Sequence, residues 1–260
     1  MSFDFDGAKY RLASGHQRQW GGRLIDSLSP PRDAAILDLG CGDGALTREL
    51  AALVPDGRVV GVDASPGMIA AAKEFEGGNL AFVRMDVDDL DFTDQFDVIF
   101  SNAALHWVAD HARLLANCHR ALRPGGVLRW SFGGQGNCAN LIATIRDAMG
   151  RPPYAECFAG FAWPWNMPGV AEYSALLART RFRVDRLELR NADRLFTPDE
   201  LTAWIDQPCI VPFLTHLPDA LRDGFRDLVV EAMLERTRQP GGTHFETFRR
   251  LDLTAIKEDG

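Results

Sequence analysis

The stretch ILDLGCGDGALT, residues 36–47, constrains the fold more than any other part of the chain. A short apolar run empties directly into Gly40, Gly42 and Gly44, and a helical pattern begins at once after them. A buried strand, a glycine turn and a helix in that order form the opening unit of a doubly wound parallel sheet, and such sheets bind ligands at this turn. The alternation then continues. Apolar runs RVVGVD, LAFVRMD, FDVIFSN near 96–102 and GGVLRWSF near 125–132 are separated by helical patterns over about Ala45 to Leu53, Pro66 to Phe75 and Asp110 to Leu122. Five such units with short loops predict right-handed crossovers and strands buried on both faces.

Beyond residue 133 the rhythm changes. FAGFAWPWNMPG carries too much Pro and Gly to be one regular element and reads as loop or cap material. FRVDRLEL near 182–189 and FRRLDLTAI near 248–256 read as two further strands. Between them TPDELTAWI opens a helix, with Thr197 as N-cap, Pro198 at the first position and Glu200 completing a capping box, and a second helix runs from about Asp219 to Arg236. The expected architecture is a single α/β, Rossmann-like domain over 1–260, doubly wound, with a helical cap. Residues 31–133 form its ligand-binding core, 1–30 an N-terminal lid, and 134–181 with 191–247 the cap and acceptor-site insertions.

Composition narrows the function. At 46% hydrophobic and 25% charged residues the chain is globular, and its net charge of −8 argues against a partner bound through its phosphate backbone. The expected partner is a small molecule, with neither nucleic acid nor membrane involved. Cys41, Cys118, Cys138, Cys157 and Cys209 are odd in number, widely spaced and without a CxxC pair, so they read as reduced thiols and not as a metal site. With no basic leader followed by an apolar stretch, the expectation is a soluble, cytoplasmic protein.

Gly40, Gly42 and Ala45 satisfy G-x-G-x-x-A, so a dinucleotide fits the spacing alone. Charge separates the readings. Asp38 and Asp43 flank the glycines and would repel a pyrophosphate, whereas the sulfonium and ammonium of S-adenosylmethionine are both positive. Asp63, about 20 residues on, stands where an acidic side chain meets an adenosine ribose. Asp86 after the third strand suits the adenine amino group, Val87 one face of the ring and Met68 the other.

These residues, through ILDLGCGDG, VVGVDAS, RMDV, SNAALHW and LRPGG over about 35–132, resemble the class I S-adenosylmethionine-dependent methyltransferases. The resemblance implies a seven-stranded sheet with an antiparallel last strand, and cofactor contacts at Asp38, Gly40, Asp63, Ala64, Met68, Asp86, Val87 and Asn102, with Gly42 beside them in the same loop. YRLASGHQRQWGGRLI and SNAALHWVADHARLL look most like the trans-aconitate 2-methyltransferase group of small-molecule carboxyl methyltransferases. That implies a lid contributing Tyr10, Gln17 and Trp20 to the cofactor, with His16 toward the acceptor. The expected reaction is methyl transfer to a small-molecule carboxylate such as a trans-aconitate-like acid, which is ionised at pH 7 and needs neither metal nor base. For a hydroxyl or carbon acceptor, His106 would be the base, titrating near neutrality; otherwise it is a pocket wall. Trp107, Phe158, Phe161, Trp163 and Trp165 are candidates for an acceptor wall, and Arg11 or Arg151 for an anion partner. Alternatives are an O- or C-methyltransferase of a hydrophobic natural product or lipid-like acid, a non-catalytic S-adenosylmethionine-binding protein and, third, a nicotinamide dehydrogenase.

Overall fold

A computed structural model describes residues 15–258. Seven strands form one sheet in the order β3-β2-β1-β4-β5-β9-β6. They are β1 (Ala35–Leu39), β2 (Arg58–Asp63), β3 (Leu80–Arg84), β4 (Phe96–Asn102), β5 (Leu122–Gly133), β6 (Phe182–Asn191) and β9 (Arg249–Lys257). β1 pairs in parallel with both β2 and β4, and β9 runs antiparallel between β5 and β6. The expected seven strands and the reversed last strand are therefore both present. The chain order turns back at the β1/β4 boundary, and the crevice described below opens there, at the carboxyl ends of the strands.

Side-chain alternation explains why these runs are apolar throughout. Ala35, Leu37 and Leu39 pack on one face of the sheet and Ile36 on the other, all buried. The first face is covered by α4 (His111–Ala121) and α7 (Val170–Leu177), through Leu114, Leu115, Tyr173 and Leu177. The second is covered by α1 (Gly15–Asp26), α2 (Ala45–Leu53) and α3 (Pro66–Ala72), through Leu24, Ile25, Leu50 and Ile69.

Several element ends are set by caps. Ser65 accepts from the Met68 amide and Asp110 from the Arg113 amide, so α3 and α4 start where a side-chain acceptor is available. The expected helix to Phe75 stops at Ala72 and tightens into a 3₁₀ turn over Lys73–Phe75.

A third core belongs to the cap. It is built from α5 (Ala139–Met149), α6 (Tyr154–Cys157), α8 (Pro198–Trp204), α9 (Val211–His216) and α10 (Asp219–Arg236). Thr197 and Glu200 make the expected capping box: Thr197 Oγ1 accepts from the Glu200 amide at 3.3 Å and Glu200 Oε2 from the Thr197 amide at 3.0 Å. Two short strands the sequence does not announce, β7 (Arg194–Phe196) and β8 (His244–Glu246), pair antiparallel beneath these helices. At three residues each, they show no readable alternation. Residues 134–181 divide between layers, since α5 and α6 join the cap core while α7 packs on the sheet. Among the described residues no helix is long and apolar enough to cross a membrane, no cluster of His, Cys, Asp or Glu could hold a metal, and all five cysteines are free.

Candidate active site

The glycine loop is shaped by close approach. Gly40 has φ +67°, and a Cβ there would stand 2.2 Å from the Ala104 side chain. Gly44, at φ +79°, starts α2 against Phe82 and Ala72, where a side chain has no room. The loop is pinned to the end of β2: the Gly40 and Cys41 amides donate to the Val62 carbonyl, and the Gly42 amide donates to Asp63 Oδ2 at 3.0 Å. Asp63 Oδ1 accepts from the Ser65 amide at 2.9 Å. Burial raises the Asp63 carboxyl above its usual range, those two amides pull it back, and Asp86 raises it further. Asp38 lies beneath the loop, 2% exposed, with its Oδ2 taking the Thr47 hydroxyl at 2.8 Å. Burial pushes its carboxyl up to about 7 against the Thr47 bond, and Asp63 adds to the rise.

One crevice gathers most of the expected cofactor contacts. Gly40, Gly42, Asp63, Ala64 and Met68 line its loop side, with Asp86, Val87 and Asn102 further along, and Gln17 and Trp20 reach it from α1. Asp38 is not on this wall but under it. Tyr10, Arg11 and the His16 side chain lie outside the described residues. Asn102 is locked in place: its amide donates to the Gln17 carbonyl at 2.9 Å and its Oδ1 accepts from Arg250 at 3.0 Å.

Two buried acceptors on this wall, Gln17 Oε1 and Asp88 Oδ1, have no hydrogen-bond partner among the described residues. Buried polar atoms are normally satisfied, so a pair of orphaned acceptors beside Asp63 and Asp86 marks a place for a ligand bearing N–H or O–H donors and positive charge. Asp86 spends its Oδ1 on the Asp88 amide at 3.1 Å, which turns the chain so that Asp88 also faces the crevice. These carboxylates fit the adenosine of S-adenosylmethionine, while Asp38 and Asp43, buried about the glycine loop, oppose a pyrophosphate there.

The opposite wall carries Trp107, from the short turn after β4, together with Trp165, Met167, Trp204 and Phe248 from the segments beyond β5. Trp163 does not reach it. It packs edge-to-face on Trp165 and Phe213 with the Arg146 guanidinium 4.8 Å above its ring, so its outer face is already covered. Phe158 and Phe161 pack on Phe213 and His216 inside the cap core. Arg151 is exposed, beside the groove between α5 and α10, and has no place in the crevice.

His106 does line the crevice, on a short turn after β4. The expectation that it titrates near neutrality fails: burial first, then Arg250 and His111, lower its imidazole to about 3. The Gly133 amide donates to Nδ1 at 3.5 Å, so the neutral ring carries its proton on Nε2.

Sequence reasoning missed Arg250, Asn137, Cys138, Asp88 and Phe248, all on the lining. Arg250 is 3% exposed, donates to Ser131 Oγ at 3.3 Å and lies 5.0 Å above the Trp20 ring. A signal was available for it. Period two on a strand covered on both sides puts Arg250 and Asp252 on one buried face of β9, where charged residues need a reason.

Comparison with known proteins agrees with this geometry. The family described as a methyltransferase domain matches residues 37–129. The trans-aconitate 2-methyltransferase of Acidovorax sp. (strain JS42) is 31% identical over 267 residues, covering 97% of this chain and 98% of the relative. Among solved structures, the YcgJ protein of Bacillus subtilis aligns with a TM-score of 0.62 at 18% identity, over 94% of this chain and 100% of that one. A phosphoethanolamine N-methyltransferase of Haemonchus contortus, in complex with S-adenosyl-L-methionine, aligns with a TM-score of 0.62 at 19% identity, over 97% of this chain and 57% of that one.

Proposed function

We propose, from the premise that this chain belongs to the class I S-adenosylmethionine-dependent methyltransferases, that it methylates a carboxylate of a small organic acid of the trans-aconitate kind. Bound in the crevice, S-adenosylmethionine supplies an electrophilic methyl on a sulfonium. Asp63 accepts from the ribose hydroxyls, Asp86 and Asp88 from the adenine amino group, and Met68 and Val87 hold the ring between them. Gln17 Oε1 accepts from the methionyl ammonium, with the Asp38 charge behind the loop. On the cap side the aromatic wall excludes water and orients the acceptor, which is most of what an in-line transfer from an activated donor asks of a protein.

The observation that carries the carboxylate reading is the state of His106. It is neutral and far from titrating at pH 7, and the thiols of Cys138 and Cys209, elsewhere on the lining, are held protonated, chiefly by burial. The described cap-side lining therefore offers no ready proton acceptor, which suits an acceptor that has no proton to lose. The similarity to a trans-aconitate 2-methyltransferase over nearly the whole chain supports the same class.

The test transfers labelled methyl from S-adenosylmethionine to trans-aconitate and medium-chain carboxylic acids and counts volatile methanol after mild base, with S-adenosylhomocysteine binding as the folding control. Base-labile label is the expected result. Label that survives base places the methyl on a hydroxyl or carbon and overturns the carboxylate reading, and no label with the homocysteine still bound makes this a binding protein. His106→Gln should retain turnover within about tenfold, whereas the loss of a general base costs about 10²–10⁴.

A further inference from the structure

Residues 103–109, the turn after β4, line the crevice without a break, from Ala104 against Gly40 on the cofactor side to Trp107 on the opposite wall. The chain does not adopt this turn freely. Ala103 sits at φ 59°, a conformation that a residue with a Cβ keeps only where its surroundings hold it. What holds the turn lies behind the crevice. The Ala103 amide donates to the Ser131 carbonyl at 2.8 Å, and the Asn166 amide donates to the His106 carbonyl at 2.8 Å. Between these two ties the Leu105 carbonyl accepts from His111 Nε2 at 3.0 Å. His111 opens α4 and Tyr173 lies on α7; they are 4% and 1% exposed, and neither lines the crevice. The Tyr173 hydroxyl stands 2.9 Å from His111 Nδ1. A carbonyl only accepts, so Nε2 carries the ring proton and Nδ1 accepts from the tyrosine O–H. Burial keeps both partners in those states, lowering the imidazole below its ordinary value and raising the phenol above its own. Phe132 of β5, 5.4 Å away, and Tyr173, edge-to-face at 5.3 Å, fix the plane of the ring.

We propose that His111, oriented by Tyr173, is a positioning residue for methyl transfer: through the Leu105 carbonyl it sets the crevice turn, and with it the placement of the acceptor wall relative to the donor methyl. The inference rests on methyl transfer in this crevice and not on the acceptor's being a carboxylate. An in-line transfer loses rate steeply when its partners are displaced, by about a hundredfold for roughly 1 Å. The adenosine contacts at Asp63, Met68 and Asp86 lie on other elements, so cofactor affinity does not depend on this bond.

The experiment compares H111L, H111Q and Y173F with the unmodified protein. Leucine keeps only bulk, glutamine restores an amide donor for the Leu105 carbonyl, and phenylalanine removes the hydroxyl alone. Turnover is measured with labelled S-adenosylmethionine and the acid of the panel above that accepts methyl, and S-adenosylhomocysteine is titrated calorimetrically into each protein. S-Adenosylhomocysteine affinity should stay within about threefold, while kcat falls about ten- to a hundredfold in H111L and at least about threefold in Y173F, with KM for the acid moving less. H111Q should recover most of the loss. An H111L protein that binds S-adenosylhomocysteine and turns over at the unmodified rate overturns the proposal, as does an H111Q protein as slow as H111L. If H111L no longer binds it, Y173F at the unmodified rate is the overturning result. Hydrogen exchange with S-adenosylhomocysteine bound reads the turn without any acceptor. The Trp107 and Val108 amides, which donate to the Ala104 and Leu105 carbonyls, should exchange about tenfold faster in Y173F, with the amides of β1 unchanged. Unchanged exchange at the turn overturns the proposal, whereas failure to methylate any acid of the panel overturns only the carboxylate reading.

Discussion

Burial lifts the Asp38 carboxyl to about 7, so this residue is a cost to the empty fold and an asset only when something positive approaches. In the unfolded chain the group ionises from its ordinary value of 3.8, whereas in the fold it does so only near 7. The folded state therefore binds the extra proton, and stability present below pH about 4 is lost as the pH rises toward 7. Asparagine keeps an oxygen for the Thr47 hydroxyl and removes the charge. Asp38→Asn without ligand should melt higher than the unmodified protein at pH 8, and the gap should close toward pH 5. The same substitution should weaken S-adenosylmethionine binding, and binding to the unmodified protein should tighten as the pH rises through 7. Melting curves at several pH values together with calorimetry check both halves, and a substitution that leaves the melting gap independent of pH contradicts the burial argument.

At the scale of elements, α5 starts with no cap of its own. Its N-cap Cys138 sits at φ 53° and its side chain caps none of the helix amides. The missing acceptor comes from β8, where the fully buried Glu246 takes the Leu141 amide at 2.9 Å, the Asn140 amide at 3.2 Å and the Thr247 amide at 2.9 Å. Glu246→Ala leaves donors at a buried helix start unpaired, and charge-assisted bonds of this kind contribute about 2–3 kcal/mol. The expected fall in melting temperature is about 5–10 °C. Thr197→Ala, which removes an exposed local cap, should cost only about 1 kcal/mol. If the two variants melt alike, Glu246 is not the cap of α5. This contrast also explains what was legible in the sequence. The Thr197 box is local, so TPDE announces it, and α2 and α10 run from Ala45 to Leu53 and from Asp219 to Arg236 as their periodicity predicts. The Glu246 cap joins residues 105 apart, and the aromatic wall and Arg250 reach the crevice from comparable separations, so no window of sequence shows them. The loop side of the crevice was readable because one strand, one turn and one helix build it. The cap side depends on how several short elements stack, and aromatic composition alone did not distinguish Trp165, on the wall, from Trp163, packed behind it against the cap core.

For the whole molecule, the decisive arrangement is that the crevice belongs to two cores at once. Helix α1 sets Leu24 and Ile25 into the sheet core and Trp20 into the cap core, where its ring meets Phe248 at 5.1 Å. Arg250 spans the same junction from β9, touching Asn102 of the sheet and lying over Trp20. A ligand seated between Asp63 and the cap wall therefore binds only when both cores are folded and docked, and its binding energy is shared by both. Ligand at a hundred times its dissociation constant stabilises the folded state by about 2.7 kcal/mol. For a chain of this size that corresponds to a rise of about 5–10 °C in melting temperature. S-Adenosylhomocysteine should produce that rise in a single transition, and NAD, whose pyrophosphate Asp38 and Asp43 beside the glycine loop oppose, should produce none. Scanning calorimetry with each ligand decides the matter. Two transitions of which only one moves would show that the cap folds without regard to the crevice, and the wall built from Trp165, Trp204 and Phe248 would then have to form without help from the bound ligand.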